Sequence, residues 1–269
     1  MPLSIPFSVS AAPAFDSIAE TYDQIFTESL IGRAQRDAVW SELRRLFRPP
    51  QRILEINCGT GVDAAFLSGL GVRVDAFDIS ARMIDVAKRR FDKMQGGISP
   101  HFGVLAIEHL DQLQGLYDGV FSNFGGLNCV PDLALVAKNL ARLTRVGAHV
   151  ILCLANRTCL WELVWYCCKG NWQKATRRFS DGVIARIAEQ AAVHVQYPTV
   201  RTMRKIFSPE FQLRKVKGVG VTVPPSYLES LALRFPNALG ACVEADRLLS
   251  HWPLARSLAD HVFLHFERV

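Results

Sequence analysis

Apolar positions in the first 155 residues follow two alternating patterns, short continuous runs and helical repeats. Two helices are predicted first, over 16–26 and 29–47, and Pro49-Pro50 ends the second. The pattern then predicts five strands, 52–56, 72–77, 101–106, 119–122 and 148–154, with helices ending at residue 70 and spanning 81–94 and 133–143. Strands alternating with helices in this way predict a doubly wound α/β fold with a mostly parallel sheet and helices on both faces.

The pattern changes after residue 155, where helical repeats dominate. Helices are predicted over 158–169, 172–179, 199–207 and 227–250, and strands over 193–197, 211–217 and 261–268. The last two strands suit an antiparallel pair that closes the sheet edge and brings the Rossmann-like sheet to seven strands. The chain is predicted to divide into an N-terminal helical segment over the site, a Rossmann-like core, a helical lid over the carboxyl ends of the strands, and C-terminal strands with a helical insertion: 1–48, 49–156, 157–210 and 211–269.

Composition narrows the class of protein. The chain is 49% hydrophobic and 21% charged, which is typical of a globular protein and excludes wholesale disorder. Its seven cysteines have no C-x-x-C spacing, so reduced thiols and no metal site are expected. Residues 1–13 are expected to be a loose lead-in, without a signal peptide. The scattered, reduced cysteines favour a cytoplasmic protein. The apolar stretch 149–168 is interrupted by polar residues and is not expected to span a membrane.

Positive charge is concentrated in the predicted lid and the strand after it. The formal net charge of the chain is +6, and residues 157–217 contain twelve Lys or Arg against four Asp or Glu, a net +8 that leaves −2 for the remainder. A solvated face explains such a segment without any ligand. An anionic or carrier-bound acceptor, a peripheral membrane surface and RNA are the functional alternatives, and RNA is disfavoured because the sequence has no RNA-binding motif.

Residues 53–61, ILEINCGTG, contain the strongest chemical signal in the sequence. A buried strand leads into a turn with two glycines and then into a helix. Gly59 and Gly61 allow positive φ and close approach of a ligand to the backbone, and the following helix offers free N–H groups. Glycines mark ordinary turns as well, so this turn alone does not identify a ligand site.

Asp78 ends the next predicted strand and is the second chemical signal. A carboxylate in this position can accept both ribose hydroxyls of a nucleoside. The alternative is a helix N-cap, although Ser80 offers that cap and leaves Asp78 free. A dinucleotide-dependent oxidoreductase and a methyltransferase both fit the turn and the acid. Glu55, on the strand itself, favours the methyltransferase, because a carboxylate repels a pyrophosphate and attracts a sulfonium or an ammonium.

Residues 55–61 resemble motif I of the class I S-adenosylmethionine-dependent methyltransferases, and Asp78 resembles their ribose-binding acid. Residues 117–123 and 143–152 resemble, more loosely, their fourth-strand motif and fifth-strand region. The segment 19–23, AETYD, resembles the helical entry of small-molecule members, whose tyrosine lines the site. Together these motifs cover about residues 15–155, and they imply S-adenosylmethionine as the cofactor.

The resemblance implies a set of cofactor-binding residues. Ala106 and Ile107 occupy the place of the acid that many members have beside the adenine, so the backbone or Glu108 would make that contact. Met83, at helical spacing, fits a core position equally well. The implied residues are Tyr22, Glu55, Asn57, Cys58, Gly59, Gly61, Asp78, Ile79, Met83, Ala106, Ile107, Asn123 and Phe124. Residues 124–128, FGGLN, differ from the Asn-Pro-Pro-aromatic motif of enzymes that methylate planar nitrogens.

Catalytic residues are not apparent in the sequence. Methyl transfer from a sulfonium requires an oriented acceptor and, for a hydroxyl, a proton acceptor. Tyr22 and His194 are candidates for that chemistry, although His194 also fits the polar face of a strand. The candidate acceptor-binding residues are Trp161, Trp165, Tyr166 and Tyr227, and the tryptophans fit the core of the lid as well.

The sequence therefore predicts a methyltransferase of a small, apolar or aromatic molecule, modified on oxygen. The alternatives are a cofactor-binding regulatory or scaffold protein, an NAD-dependent oxidoreductase and an RNA methyltransferase. The sequence does not identify the acceptor or the oligomeric state.

Overall fold

The predicted apolar runs form the central sheet of the molecule. The computed structural model describes residues 11–93, 98–188 and 191–269. The strands in these residues are β1 (Arg52–Ile56), β2 (Arg73–Asp78), β3 (His101–Val104), β4 (Tyr117–Ser122), β5 (Thr144–Ala155), β6 (Val183–Ala188), β7 (Ala191–Val195), β8 (Phe211–Val219) and β9 (His261–Arg268). Seven of them form one sheet in the order β3-β2-β1-β4-β5-β9-β8, and β6 and β7 form a separate hairpin.

The first five strands run parallel, and β9 is antiparallel to both β5 and β8. The doubly wound fold and the antiparallel closing pair that the sequence predicts are therefore confirmed. Chain order reverses between β1 and β4, and open α/β sheets bind ligands at such a point, beyond the carboxyl ends of the strands.

Helices cover both faces of the sheet. Their bounds are α1 (Ala12–Ile18), α2 (Leu30–Leu46), α3 (Val62–Gly69), α4 (Ala81–Asp92), α5 (Leu133–Leu143), α6 (Leu160–Cys168), α7 (Trp172–Thr176), α8 (Val200–Phe207), α9 (Glu229–Arg234), α10 (Pro236–Leu249) and α11 (Pro253–Ser257). Successive residues of β1 point to opposite faces, as strand geometry requires. Leu54 packs with side chains of α5 and α8, whereas Ile53 packs with side chains of α2, α3 and α4.

Several predicted elements differ from the observed ones. The helix predicted over 227–250 is divided at Pro236, which cannot continue the hydrogen bonding of α9 and starts α10. The helix predicted over 16–26 is replaced by α1, which Pro13 starts four residues earlier, and by a π-helical turn over Asp23–Thr27. The strand β6 was not predicted. The end predicted for α4, Met94, and the lead-in residues 1–10 lie outside the described residues.

The parts of the segment 157–210, which is predicted to be a lid, pack against different regions of the protein. Its last helix, α8, is packed on the sheet, where Met203 and Phe207 are almost fully buried beside α5. The α6 helix instead packs against α2, α9 and α10, and the β6–β7 hairpin packs against α1. Within the segment 157–210 that is predicted to be a lid, α8 thus belongs to the layer that covers the sheet, and the lid itself stays a prediction.

Much of the local positive charge is paired inside the protein. Arg177 and Arg178 form ion pairs with Glu162, and Lys215 and Lys217 form ion pairs with Glu42. Arg214 pairs with Glu267, and Arg157 donates to the backbone oxygen of Phe179. Six of the twelve basic side chains thus have ion-pair or hydrogen-bond partners among the described residues, so the exposed basic surface is smaller than the net charge suggests.

In the described part of the chain, no helix is long and apolar enough to cross a membrane. The same residues contain no group of His, Cys, Asp or Glu side chains that could hold a metal ion. All seven cysteines are free thiols.

Candidate functional site

The turn after β1 has the backbone conformation that its glycines predict. Asn57, Gly59 and Gly61 have φ values of 57°, 53° and 70°. A Cβ on Gly59 would meet nothing within 4 Å, so open space lies beside this backbone. A Cβ on Gly61 would lie 2.7 Å from the Cβ of Ala87, so Gly61 allows α3 to begin close to α4. The two glycines therefore have different surroundings, open space at Gly59 and close helix packing at Gly61.

Asp78 lies at the end of β2 beside this turn. Its Oδ2 accepts a hydrogen bond from the Gly59 N–H at 2.8 Å, and its Oδ1 accepts one from the Ser80 N–H at 2.9 Å. Ser80, and not Asp78, caps α4, because its hydroxyl accepts from the Met83 N–H. Burial raises the pKa of Asp78, and its backbone donors oppose part of that shift. The carboxylate is therefore positioned by the backbone of the turn after β1 and of Ser80, and the side chain of Ser80 supplies the helix cap.

Glu55 is a second buried carboxylate, on β1 itself. Its side chain is 1% exposed, and its Oε2 has no hydrogen-bond partner among the described residues. Burial, reinforced by nearby Asp63, raises the pKa of Glu55 well above its ordinary value, and Arg36 offsets part of the shift. Such an unsatisfied group is expensive to keep in a folded protein and is typical of a ligand site.

Arg36, on α2, is the positive counterpart of Glu55. Its Nη1 lies 2.5 Å from Oδ2 of Asp63, whereas its Nε is buried without a partner among the described residues. Asp63 also accepts hydrogen bonds from the indole of Trp40 and the amide of Asn123. The guanidinium of Arg36 lies over the ring of Phe124, 4.9 Å from its centroid. These contacts join α2, α3 and the residues after β4 into one polar cluster.

Residues 11–29, the N-terminal cover, close over the turn and α4. Asp16 accepts hydrogen bonds from the Ser80 hydroxyl and the Arg82 N–H. Asp23 accepts one from the Thr60 hydroxyl at 2.7 Å and forms an ion pair with Arg90. Because these acids are bound to the turn and to α4, the cover shields the site from solvent.

Tyr22 belongs to this cover and packs against α4. Burial raises the pKa of Tyr22; Arg36 opposes the shift, and Asp78 and Asp63 add to it. The ring packs in an apolar cluster with Ile18 and Met83, and Met83 is 1% exposed. Tyr22 therefore lies beside the predicted cofactor-binding carboxylates, and Met83 is a buried residue that packs under its ring.

The remaining cofactor-binding candidates divide between the sheet edge and the core. Ala106 follows β3, and the N–H of Leu105 donates to the Asp78 carbonyl, which brings this segment to the same edge. Ile107 is 6% exposed and packs with the core cluster of β1 and α5. Candidates next to the turn, or following β2 or β4 at that edge, are Cys58, Ile79, Asn123 and Phe124.

The aromatic candidates for acceptor binding lie on α6 and after β8. Trp161 and Trp165 are partly buried in a cluster with Ile31 and Leu228, and the Trp161 indole donates to the Thr222 carbonyl. Both rings therefore contribute to packing. The rings of Tyr166 and Tyr227 contact each other with centroids 5.8 Å apart.

Tyr227 lies within electrostatic range of a buried network of ion pairs, in which Arg178 joins Glu162 and Asp260. Burial raises the pKa of Tyr227, and Cys159, Glu162 and Asp260 add to the shift. The tyrosine pair therefore lies near the carboxylates of Glu162, on α6, and Asp260, which directly precedes β9.

His194 lies on the exposed side of the β6–β7 hairpin, where its ring is packed against Gly182. A surface cleft of about 350 Å³ between Asp132, Arg157, Tyr197 and Thr202 includes none of the predicted site residues. The buried residues beneath the N-terminal cover are thus the best-supported site.

Sequence reasoning missed two groups at this edge of the sheet. Arg36 and Asp63 have no local motif, and their pairing appears only in the fold. Asp260 lies outside every predicted element, and His261 is predicted only as the first residue of a strand, yet His261 lies against Phe124. An acid followed by a histidine at the first position of a strand was the one available signal.

Comparison with known proteins agrees with this geometry. Residues 53–147 match the family described as a methyltransferase domain. A demethylmenaquinone methyltransferase of Mycolicibacterium gilvum is 29% identical over 146 residues, which is 53% of this chain and 58% of that protein. A ubiquinone biosynthesis O-methyltransferase of Pectobacterium atrosepticum is 31% identical over 108 residues, 40% of this chain and 44% of that protein. The chain thus spans about half the length of these curated relatives.

A solved structure resembles nearly the whole chain. Magnesium protoporphyrin IX methyltransferase from Synechocystis, determined with bound S-adenosylhomocysteine, superposes with a TM-score of 0.62 at 17% identity. The superposition covers 96% of this chain and 98% of that one. Residues 53–147 are therefore identified as a methyltransferase domain, and the seven-stranded sheet has the fold of the class I S-adenosylmethionine-dependent methyltransferases.

Proposed function

We propose that the protein transfers a methyl group from S-adenosylmethionine to a small apolar or aromatic acceptor, on a hydroxyl oxygen. The observation that supports this most is a pair of ionisable side chains near the end of β1 that each have a polar atom without a hydrogen-bond partner. Oε2 of Glu55 and Nε of Arg36 are both buried without a partner among the described residues. Each side chain also lies within electrostatic range of the other. The ammonium and carboxylate of a bound amino acid are the two charges that these atoms lack.

Asp78 suits the nucleoside part of the same ligand. A carboxylate has about four acceptor positions. Gly59 and Ser80 use one on each oxygen of Asp78, so two remain for ribose hydroxyls. The open space beside Gly59 leaves room for the ligand between the turn and Asp78. The donors and acceptors present therefore fit S-adenosylmethionine.

The same carboxylates disfavour a dinucleotide. Glu55, Asp63 and Asp78 are all buried near the turn, where a pyrophosphate would meet three carboxyl groups. S-adenosylmethionine supplies a methyl group on a positively charged sulfur, which this surrounding tolerates. Glu55 and Arg36 would orient the amino acid end, Asp78 the ribose, and the N-terminal cover would exclude water.

The acceptor is proposed from the aromatic residues and from the relatives. Tyr166 and Tyr227 present paired rings beside the network of Glu162 and Asp260, and aromatic walls suit a flat apolar molecule. One relative is named as an O-methyltransferase of ubiquinone biosynthesis and another as a demethylmenaquinone methyltransferase. A phenolic or quinol-like acceptor agrees with both observations.

Calorimetry with S-adenosylmethionine tests the cofactor site. Asp78→Ala should weaken binding by about 2–4 kcal/mol, because two charge-assisted hydrogen bonds are lost. Asp85→Ala, on the exposed side of α4, is the matched control and should bind as the wild type does. Equal affinity of the two variants would remove Asp78 from the site, and tight binding of NADH would favour an oxidoreductase.

Product formation tests transfer itself. S-adenosylhomocysteine should accumulate when catechol, 3,4-dihydroxybenzoate or 1,4-naphthohydroquinone is added, and the methylated atom is then identified by mass spectrometry and NMR. Binding of S-adenosylmethionine without turnover of any acceptor in broad pools would instead favour a regulatory or scaffold protein.

The aromatic residues can be tested separately. Tyr166→Ala and Tyr227→Ala should raise the acceptor KM while leaving the affinity for S-adenosylmethionine near that of the wild type. Trp161→Ala tests the packing role, since its ring is in the α6–α9 cluster, and its main effect should be a lower melting temperature. Unchanged kinetics in both tyrosine variants would locate the acceptor elsewhere.

A further inference from the structure

The first residue of β9 lies at the ligand-binding edge of the sheet. Because β9 is antiparallel to β5, His261 is opposite Ala155, the last residue of β5. Its ring meets the ring of Phe124, which follows β4, edge to face with centroids 5.3 Å apart. Phe124 in turn lies beneath the guanidinium of Arg36. One aromatic ring therefore separates the imidazole from the proposed cofactor-binding cluster.

The carboxylate of Asp260 is held beside this imidazole by two side chains, those of Arg178 and Gln35. Its side chain is 7% exposed, and its Oδ1 lies 2.8 Å from Nη2 of Arg178. Its Oδ2 accepts from Nε2 of Gln35 at 3.3 Å, and Gln35 is itself bonded to the carbonyl of Pro224. Burial opposes ionisation of Asp260, but His261 and Arg178 outweigh it and hold the pKa of this carboxyl well below its usual range. The carboxylate is therefore charged and rigidly held.

The two nitrogens of His261 have different surroundings. Nδ1 is buried and lies 3.3 Å from Oδ2 of Asp260, but it is not aligned well enough to form a hydrogen bond. Nε2 has no partner in the part of the chain that the structure describes. Contacts of this kind are often long in a ligand-free enzyme and tighten when substrate binds. A small rotation of the ring would align Nδ1–H with Asp260 and leave the lone pair of Nε2 free.

We propose that His261 is the general base of methyl transfer, with Asp260 as the residue that positions it. This inference rests on the proposed function and adds the group that accepts the acceptor's proton. The proton moves from the acceptor hydroxyl to Nε2, and the oxygen electron pair forms the new bond to the methyl carbon. The methyl–sulfur bond breaks with its electrons on sulfur, and the imidazolium then returns the proton to solvent.

The other candidate bases are less suited to this role. Burial raises the pKa of both Tyr22 and Tyr227, which makes their deprotonation harder. His194 is on the exposed side of the hairpin and has no carboxylate in contact with its ring among the described residues. His261 alone among these combines a buried carboxylate with a position beside the residues that follow β4.

The tautomer of His261 tests the proposal without any acceptor. Protein labelled with 15N-histidine and saturated with S-adenosylhomocysteine should show a neutral His261 protonated on Nδ1, with the signal assigned through His261→Asn. Asp260→Asn should remove that preference. A neutral His261 protonated on Nε2 would overturn the proposal.

Turnover of catechol provides the second test. His261→Asn should lower kcat by about 100-fold or more, which is the ordinary contribution of a general base, with little change in the affinity for S-adenosylmethionine. His251→Asn, an exposed histidine after α10, is the matched control and should keep the wild-type rate. Added imidazole should restore part of the activity of His261→Ala.

The outcomes separate the two proposals. A His261→Asn variant within threefold of the wild-type kcat overturns the general base and leaves the methyltransferase intact. Turnover of carbon or nitrogen acceptors, with no hydroxyl acceptor accepted, does the same. Failure of the wild type to bind S-adenosylmethionine would overturn the proposed function itself.

Discussion

Glu55 and Asp260 are buried carboxyl groups at the same edge of the sheet, yet their surroundings are opposite. Oε2 of Glu55 lacks a partner among the described residues, and burial raises its pKa. Asp260 is bonded to Arg178 and Gln35 and lies beside His261, and its pKa is lowered although burial opposes this. The fold therefore leaves one oxygen of Glu55 without a hydrogen-bond partner, whereas both oxygens of Asp260 have partners.

This difference indicates different roles. An unsatisfied buried charge reduces stability and gains from a ligand that completes it, whereas a satisfied one is rigid and suited to orienting a neighbour. On the cofactor side of the proposed site, the ligand would thus supply the hydrogen-bond partner that Glu55 lacks. On the side near β9, the protein itself supplies the partners of Asp260.

Removing the partner of Asp260 should have the largest effect. Arg178→Met leaves both Asp260 and Glu162 buried with a lost partner, and it should lower the free energy of unfolding by about 3–5 kcal/mol. Arg177→Met is the matched control, because Arg177 is one-third exposed and pairs with Glu162 alone. Its loss should cost about 1 kcal/mol or less. Chemical denaturation measures both, and equal losses would contradict a special role of the buried network.

A third buried group, His265, should lower the stability of the protein in acid, with an effect of intermediate size. Its Nε2 lies 3.1 Å from Nδ1 of His149, and burial, together with His149, lowers the pKa of His265 to about 4. The unfolded chain binds a proton near pH 6.5, so between about pH 6.5 and 4 it holds more protons than the folded protein. Stability should therefore fall by about 1–3 kcal/mol as the pH drops through this window.

The variant His265→Gln should flatten the unfolding free energy over that window. The loss attributable to Asp260 begins lower, near its unfolded pKa and below, because the folded pKa is depressed. A His265→Gln protein that retains the loss between pH 6.5 and 4 would assign it to other groups.

Replacing Glu55 by the neutral glutamine should have the smallest effect on the free energy of unfolding, and this effect should be stabilising. Its raised pKa means that the folded protein holds more protons than the unfolded chain above about pH 4.5, so stability falls as the pH rises toward the folded pKa. Glu55→Gln should therefore stabilise the ligand-free protein by about 0.5–2 kcal/mol at neutral pH, and this gain should shrink in acid.

The same variant should bind S-adenosylmethionine more weakly, which a thermal-shift titration measures together with stability. Glu244→Gln, an exposed glutamate paired with Arg247, is the control and should change neither property appreciably. Loss of stability in Glu55→Gln would mean that the carboxylate is satisfied in solution.

Local signals made most of the sheet predictable. The strand predicted over 261–268 matches β9, and the helix predicted over 133–143 matches α5, because each has strong periodicity between clear ends. The turn at Gly59 and the role of Ser80 as a cap were also predictable, because their geometry depends on adjacent residues. By contrast, the division at Pro236 was missed although the proline was visible.

The polar clusters depend on distant residues and were not predictable. Arg36 and Asp63 are 27 positions apart, and Arg178 and Asp260 are 82 apart. Neither spacing has a periodic signature, and both pairs require the packing of α2 and α6 to be known first. Trp161 illustrates the same limit, since its aromatic character fits both a ligand wall and the core of the lid, and only the structure shows its contacts with the packed α2–α9 cluster.

The N-terminal cover has a consequence for timing. Its Asp16 and Asp23 are bonded to Ser80, Thr60 and Arg90, which belong to the turn and helix that would surround the ligand. A molecule beneath it can therefore leave only after these bonds open, so the lifetime of the closed state limits how quickly one molecule replaces another. Exchange would then be slower than free diffusion allows, and it would accelerate with salt, because ion pairs between exposed side chains, such as that of Glu20 and Arg89, are screened by added ions.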